Sequence, residues 1–448
     1  MGDGTGSGLR LNRRRFLRTV GAVGSTALTG GAATACASGS SPSARAAGRR
    51  SDVIRIGYVS PETGALAPFG EADQFVIAAL QEFFATKPLH VGGRPHRVEI
   101  LKRDSQSNAE RAADVAADLI EGGGIHLMLV SSTPSTTNPV SNQCEASGMP
   151  CVATMAPWQP WFFGRGGEPH APFDWTYLFC WGLEDAEAVY ADMWDQVETN
   201  RTAGALWPND TDGLTWGNPS TGLPPGIARR GYTLVDPGNY ADGTADFSGQ
   251  IDAFRAADAE VLIGVPVPPD FATFWRQAVQ QGYRPRIATI GKALLFPSSV
   301  EALGPLAVNL STEVWWSPSH PFTSSLTGQS AADLAAAYTQ TTGRQWSQPI
   351  GFAHALFEVA GAAFATVGSV DDRRGLAAAI GGMRLDTVVG RLDWTAGPVR
   401  GVAKTPLAGG QWRRGTNTPY ELVIVSNARH PEIPTAGTVQ PLPGRSSK

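Results

Sequence analysis

The sequence predicts an α/β protein made of two doubly wound parallel-sheet lobes, and three observations carry that prediction. From Val53 onward, short β-branched or apolar runs alternate with helical patterns, which is how βαβ units and a parallel sheet read. The alternation pauses at Trp181 and restarts at Asp185, so it is played out twice. The roughly 390 residues that follow Asp52 exceed one ordinary core and suit two lobes of about 150 to 200 residues each.

Taken in order, residues 53–59 are the first strand, and residues 70–84 a helix with Phe75, Val76, Ala79, Leu80 and Phe83 on one face. A strand over 97–101, a helix over 109–121, and strands over 126–130 and 151–155 complete the first unit, with a further helix ending near Cys144. The second unit runs through a helix at 185–198, a strand at 202–207, a helix at 247–257, a strand at 261–265, a helix at 271–281 and a strand at 286–290. Open sheets of this kind bind ligands beyond the carboxyl ends of their strands, so a site shared by both units lies in the cleft between them.

Composition narrows the function classes. With 42% hydrophobic residues, 17% charged residues and a net charge of −4, the chain is not a disordered segment, a nucleic-acid surface or a basic membrane patch, and its partner is expected to be small. After the leader, no run of ~18 apolar residues is apparent, so the body reads as soluble. The seven histidines are scattered, neither His-Glu-x-x-His nor Cys-x-x-Cys occurs, and the glycine-rich stretch over residues 4–8 precedes no strand, so neither an enzyme nor a cofactor is expected.

The first residues carry an address. Asn12-Arg13-Arg14-Arg15-Phe16-Leu17-Arg18, followed by a mildly apolar run to Ala33, resembles a bacterial twin-arginine signal. Ala33-Thr34-Ala35-Cys36 resembles a lipobox, with Ala33 where that motif usually has Leu, and implies lipidation at Cys36. A membrane-spanning reading competes, but the stretch is rich in Gly and Thr and falls short of the ~20 apolar residues a span needs. Residues 37–51 are small, polar and aperiodic, the composition of a flexible tether. Export permits disulfides. Cys144 ends a helix and Cys151 opens a strand with Ser147-Gly148 between them, so a Cys144–Cys151 bridge is expected, worth ~2–3 kcal/mol at most. Cys180, among Leu178, Phe179 and Trp181, reads as a buried thiol.

Over nearly its whole mature length the chain resembles the leucine/isoleucine/valine-binding type of periplasmic binding protein. The likeness rests on Ile54-Arg55-Ile56-Gly57 with Ser60-Pro61-Glu62-Thr63-Gly64 and Phe69-Gly70, on Asp104-Ser105-Gln106-Ser107, on the run from Ser131 to Thr137, on Asn209-Asp210, and on Val389-Gly390-Arg391-Leu392-Asp393-Trp394. The resemblance implies a type I periplasmic-binding fold: two doubly wound parallel-sheet lobes joined by a three-crossover hinge. Lobe 1 would take residues 52–182 and 316–384, lobe 2 residues 183–315 and 385–427, and residues 428–448 would form a tail, with 390–394 and 420–426 as closing strands of lobe 2. It also implies a monomeric receptor of an ABC importer that works with permease and ATPase subunits, meets the membrane through its lipid alone and binds no nucleic acid. A ligand sensor on the same fold, signalling to a membrane regulator, is the alternative.

Ser131, Ser132 and Thr133 lie between a strand end and a helix start, where hydroxyls and free N–H groups seat a carboxylate, as this loop does in the resembled family; plain helix capping is the competing role. Thr154, Met155, Ala156 and Trp158 follow the next strand and make a more apolar wall than the family's usual hydroxyls. Phe69 falls where the family often sets an aromatic over the ligand, and Phe352 completes the first lobe's set. In lobe 2, Asp212 stands where many relatives have an aromatic residue, and Pro268 belongs to an apolar loop over 266–270. Lys292 reverses the acidic character that amino-acid binders place in that loop; it would meet a second ligand carboxylate, pair with Asp212 or Asp270, or face solvent. Trp158, Trp161, Trp207, Trp216, Trp315 and Trp316 sit at loop mouths and suit a flat or apolar ligand, about half of them serving the core instead. The expected ligand is an aromatic or otherwise apolar carboxylate, with a hydrophobic or branched-chain amino acid as close competitor.

Overall fold

The computed structural model describes residues 52–444. The twin-arginine stretch, Cys36 and the tether lie outside the described residues.

Two seven-stranded sheets organise the body. Across the first, the order is Val402–Ala403, Thr176–Phe179, Cys151–Thr154, Leu127–Ser131, Val53–Ser60, Arg94–Asp104 and Leu89–Val91, parallel except at the last pair. Across the second it is Tyr420–Ser426, Ala408–Arg414, Ser311–Val314, Ile287–Ile290, Val261–Gly264, Thr202–Leu206 and Thr233–Val235, parallel from Ser311–Val314 onward. The central strands are buried along their whole length, as parallel strands covered on both faces must be. The two α/β lobes of the type I periplasmic-binding fold are therefore present, in the order in which the sequence periodicity places them.

One segment departs from expectation. Tyr420–Ser426 joins the second sheet, but Gly390–Asp393 pairs with Arg384–Thr387 in a separate two-stranded ribbon, and Val402–Ala403 adds to the edge of the first sheet. The cause is local. Gly390 holds φ +105, open to glycine and costly for other residues, and Thr387 Oγ1 donates to the Gly390 carbonyl at 2.6 Å, so the chain folds back at once.

Two helices matter for the cleft. Pro134–Ser147 is a poor helix former by composition, with Pro139 inside it, and is held by burial of Thr136, Thr137, Asn138, Val140, Ser141 and Cys144. Pro134 opens it at the position where a missing N–H costs nothing, and Gly148 at φ +62 ends it. Pro349–Thr366 is long and apolar enough by composition to cross a membrane, a feature the sequence reading passed over, yet nearly all of it is buried as the central helix of the core. Cys144 and Cys151 are buried neighbours, as expected from their places in helix and strand, and stand here as free thiols; Cys180 is a third buried thiol. Burial and then the Cys151 thiol push the Cys144 thiol well up. The tail folds back on the second lobe, where the Leu442 N–H donates to the Arg286 carbonyl at 2.8 Å and Gln440 to Gln411 Oε1 at 3.0 Å.

Candidate binding cleft

Between the carboxyl ends of the two sheets lies a cavity of about 20 Å³. Its first wall is Phe69, Thr133, Met155, Pro157 and Trp181; its second is Asp212, Trp216, Val265, Lys292, Leu295, Glu313 and Trp315. Most of these sit just past a strand end, which is where the topology predicts a shared site. Two of them, Met155 at φ +65 and Lys292 at φ +52, hold left-handed backbone although neither is glycine. Such strain persists where surrounding packing enforces it and gathers at functional sites.

The first wall offers donors. Thr133 is the N-cap of Pro134–Ser147, yet its hydroxyl makes no capping bond, and Thr133 Oγ1 and Ser132 Oγ are both buried without a partner among the described residues. Capping is thus not what these hydroxyls do. Ser131 is turned away from the cavity, with Oγ 2.8 Å from the Tyr58 hydroxyl, which itself donates to Asp73 at 2.7 Å. Burial pushes Asp73 up to about 7. Trp181 Nε1 and, across the cleft, Trp216 Nε1 are further buried donors without a described partner, and the two rings meet edge to face at 5.9 Å.

The second wall is built around a charge cluster. Lys292 is buried and neither faces solvent nor pairs with Asp270, whose carboxylate instead accepts the Gly243 N–H. Its Nζ lies 2.5 Å from Asp210 Oδ2 and 3.0 Å from Asp212 Oδ2. Burial alone would lower the lysine, but the two carboxylates outweigh it and hold it above its ordinary value. Burial raises Asp212 to about 6 against the pull of Lys292, and Asp212 Oδ1 has no described partner. Glu313 is fully buried and raised by that burial, although Tyr190 donates to it at 2.5 Å and Thr312 at 3.1 Å. Gln348, on the approach to the core helix, accepts from the Trp315 N–H at 2.7 Å and donates to the Glu313 carbonyl at 3.1 Å, which fixes this strand end.

Of the sequence-nominated residues, Phe69, Thr133, Met155, Asp212, Trp216, Lys292 and Trp315 meet at the cavity. The others lie beside it. Thr154 Oγ1 donates to the Phe179 carbonyl at 2.8 Å, Ala156 is buried behind the wall, and Trp158 Nε1 reaches Glu184 at 3.2 Å on the lip. Pro268 opens a helix, and Phe352 packs under Trp315 at 5.3 Å. Sequence reasoning missed Glu313 and Trp181. Glu313 lies in Ser311–Val314, a strand that is polar by composition yet buried throughout, so no local signal marked it. Residues 159–175 form a lip: Arg165 lies between the rings of Trp161 at 4.6 Å and Phe173 at 3.8 Å. A Cβ at Gly164 would stand 3.2 Å from Thr211 of the opposite lobe. Among the described residues no group of three or more His, Cys, Asp or Glu is arranged to hold a metal ion.

A family model described as periplasmic binding protein matches residues 53–417. No curated protein matches the chain. Among solved structures, a leucine binding protein from Thermotoga maritima is 18% identical, covering 84% of this chain and 99% of its own, with a TM-score of 0.66. A periplasmic binding protein type 1 from Bordetella pertussis is 16% identical over 83% of this chain and 100% of its own, with a TM-score of 0.69. The solute binding protein of an ABC transporter from Rhodopseudomonas palustris, in complex with 3,4-dihydroxy benzoic acid, is 13% identical over 83% and 97%, with a TM-score of 0.65. At these identities the likeness is one of fold.

Proposed function

Because the chain belongs to the periplasmic binding protein family, we propose that it is the extracytoplasmic solute-binding subunit of an ABC importer and captures a small carboxylate-bearing ligand by closing two lobes over it. The family is one of solute receptors and not of enzymes. One observation carries the choice of ligand: the cavity sets an unpartnered hydroxyl at a helix head on one wall against an unpartnered carboxylate oxygen on the other. The helix head and Thr133 suit a ligand carboxylate. The opposite wall carries Asp210 and Asp212 against the single Lys292, one net negative charge before Glu313 is counted, and suits an ammonium. A zwitterionic amino acid with an apolar or aromatic side chain satisfies both; an aromatic acid satisfies only the first. Phe69, Trp181, Trp216, Leu295 and Trp315 supply the apolar surround.

The lobes of this reading are residues 52–182 with 316–403, which carry the ribbon and the Val402–Ala403 edge strand, and residues 183–315 with 404–427, hinged where the chain crosses between them. The leader directs twin-arginine export, Cys36 carries the lipid, and the closed form engages the permease. Thermal unfolding of the purified chain against neutral amino acids, aromatic acids and dicarboxylates tests the reading, since a ligand at about 100 times its Kd adds ~2.7 kcal/mol. A shift with neutral amino acids is expected. A response confined to dicarboxylates, or none to any of the three classes, overturns it.

A further inference from the structure

Lys292 is the cation among the described cavity-lining residues, and a zwitterionic ligand leaves it unused. Its side chain is 5% exposed, and both bonds of its ammonium go to carboxylates of its own lobe. Both oxygens of Asp210 are engaged, because the one that does not meet Lys292 accepts the Gly213 N–H at 2.7 Å and caps the Thr211–Trp216 helix. Asp212 keeps one oxygen unpartnered at the cavity. The left-handed backbone at Lys292, rarely adopted by a lysine, belongs to the turn that buries the stem after Ile287–Ile290. A buried lysine without these acids would lose its charge, and the two acids without the lysine would repel each other.

Resting on the reading of the cleft as an amino-acid site, we propose that Lys292 is a specificity determinant: a built-in cation that fills half of a two-carboxylate cation site, so that the cleft accepts ligands with one ammonium and rejects dibasic ones. A ligand such as ornithine or lysine would bring its second ammonium to a carboxylate pair already engaged and to a like charge beside it. With the lysine's charge removed, the same pair becomes a seat for that second ammonium.

The variant Lys292→Met keeps an apolar stem and removes the charge. It is expected to melt below the wild type and to be stabilised by n-butylammonium chloride, beyond equal sodium chloride and clearly more than the wild type is; this arm requires no knowledge of the natural ligand. Against leucine, phenylalanine, ornithine and lysine, the variant should gain affinity for the dibasic pair by about tenfold or more relative to the neutral pair. The double variant Asp210→Asn/Lys292→Met restores a single negative charge while Asn still caps the helix, and should return the preference to neutral ligands. Equal alkylammonium responses in variant and wild type, or an unchanged ligand profile in the folded variant, overturn the proposal. If Lys292→Met does not fold, recovery of folding in the double variant supports it and failure of both overturns it. Alkylammonium rescue in a protein deaf to every amino acid would refute the amino-acid reading and leave the built-in cation; leucine binding without rescue would do the reverse.

Discussion

In the proposed amino-acid reading of the cleft, Asp212 would set the preferred ligand charge through its titration. Burial holds its carboxyl near 6, well above the ordinary value of 3.8. Its ionised form therefore costs folding free energy above its unfolded pKa, a cost that grows up to about pH 6 and that a bound ammonium relieves. A zwitterionic ligand needs the ionised form, so its affinity should hold above pH 6 and fall about tenfold by pH 5, with proton release on binding, whereas an anionic ligand would show the opposite slope. Calorimetric titration between pH 5 and pH 8 in buffers of different ionisation enthalpy reads both. Thr133→Val should weaken the same ligand by ~1–3 kcal/mol, because it removes a hydroxyl donor to a charge. Ser131→Ala should instead leave affinity nearly intact and lower stability, since that hydroxyl serves Tyr58. Thr133, Asp212 and Lys292 were legible in the sequence because each follows a recognisable strand. Whether Lys292 met a ligand, an aspartate or solvent was not, because its partners Asp210 and Asp212 lie about eighty residues away in the chain. Glu313 was hidden for the same reason, its Tyr190 partner lying 123 residues distant.

At the scale of elements, periodicity located the strands and helices it named to within a few residues, because buried parallel strands and amphipathic helices write their pattern locally, but it named none of Thr176–Phe179, Ser311–Val314, Ala408–Arg414 and the helix Ala331–Thr342. The resemblance, not periodicity, placed Gly390–Asp393 in the second lobe, whereas the segment pairs with Arg384–Thr387 as a two-stranded ribbon. Close helix packing is equally silent in sequence. Gly351 lies in the core helix Pro349–Thr366, where alanine would be the better helix former by ~1 kcal/mol. A Cβ there would stand 2.4 Å from Trp316 Cδ1 and 2.5 Å from two further atoms of its indole ring. Overpacking of a filled core costs ~1–3 kcal/mol and outweighs the propensity gain. Gly351→Ala should thus lower the melting temperature, and an unchanged or higher value in calorimetry would mean that the Trp316 ring yields freely.

For the whole molecule, cavity size sets the mechanism. About 20 Å³ holds roughly one water, far less than any amino acid with an apolar side chain. The lobes are shut on each other: Phe69 meets Phe296 edge to face at 4.8 Å, and at the mouth Ser298 Oγ of one lobe lies 3.4 Å from Glu71 Oε2 of the other. Glu71 is in turn held by Arg344 at 2.7 Å. In the proposed reading a ligand waits for the lobes to part, and its uptake should depend on that motion more than on diffusion through a gap. The double variant Glu71→Cys/Ser298→Cys places two thiols across the mouth, where a short bis-methanethiosulfonate linker, longer than the direct disulfide that two shortened side chains could span, would tie the lobes together. The crosslinked protein should fail to take up a ligand that the reduced protein binds, and a reducing agent should restore uptake. Equal uptake by the crosslinked and reduced forms would show that the ligand enters without lobe separation and that the side chains of the cleft, Phe69 foremost, move aside instead.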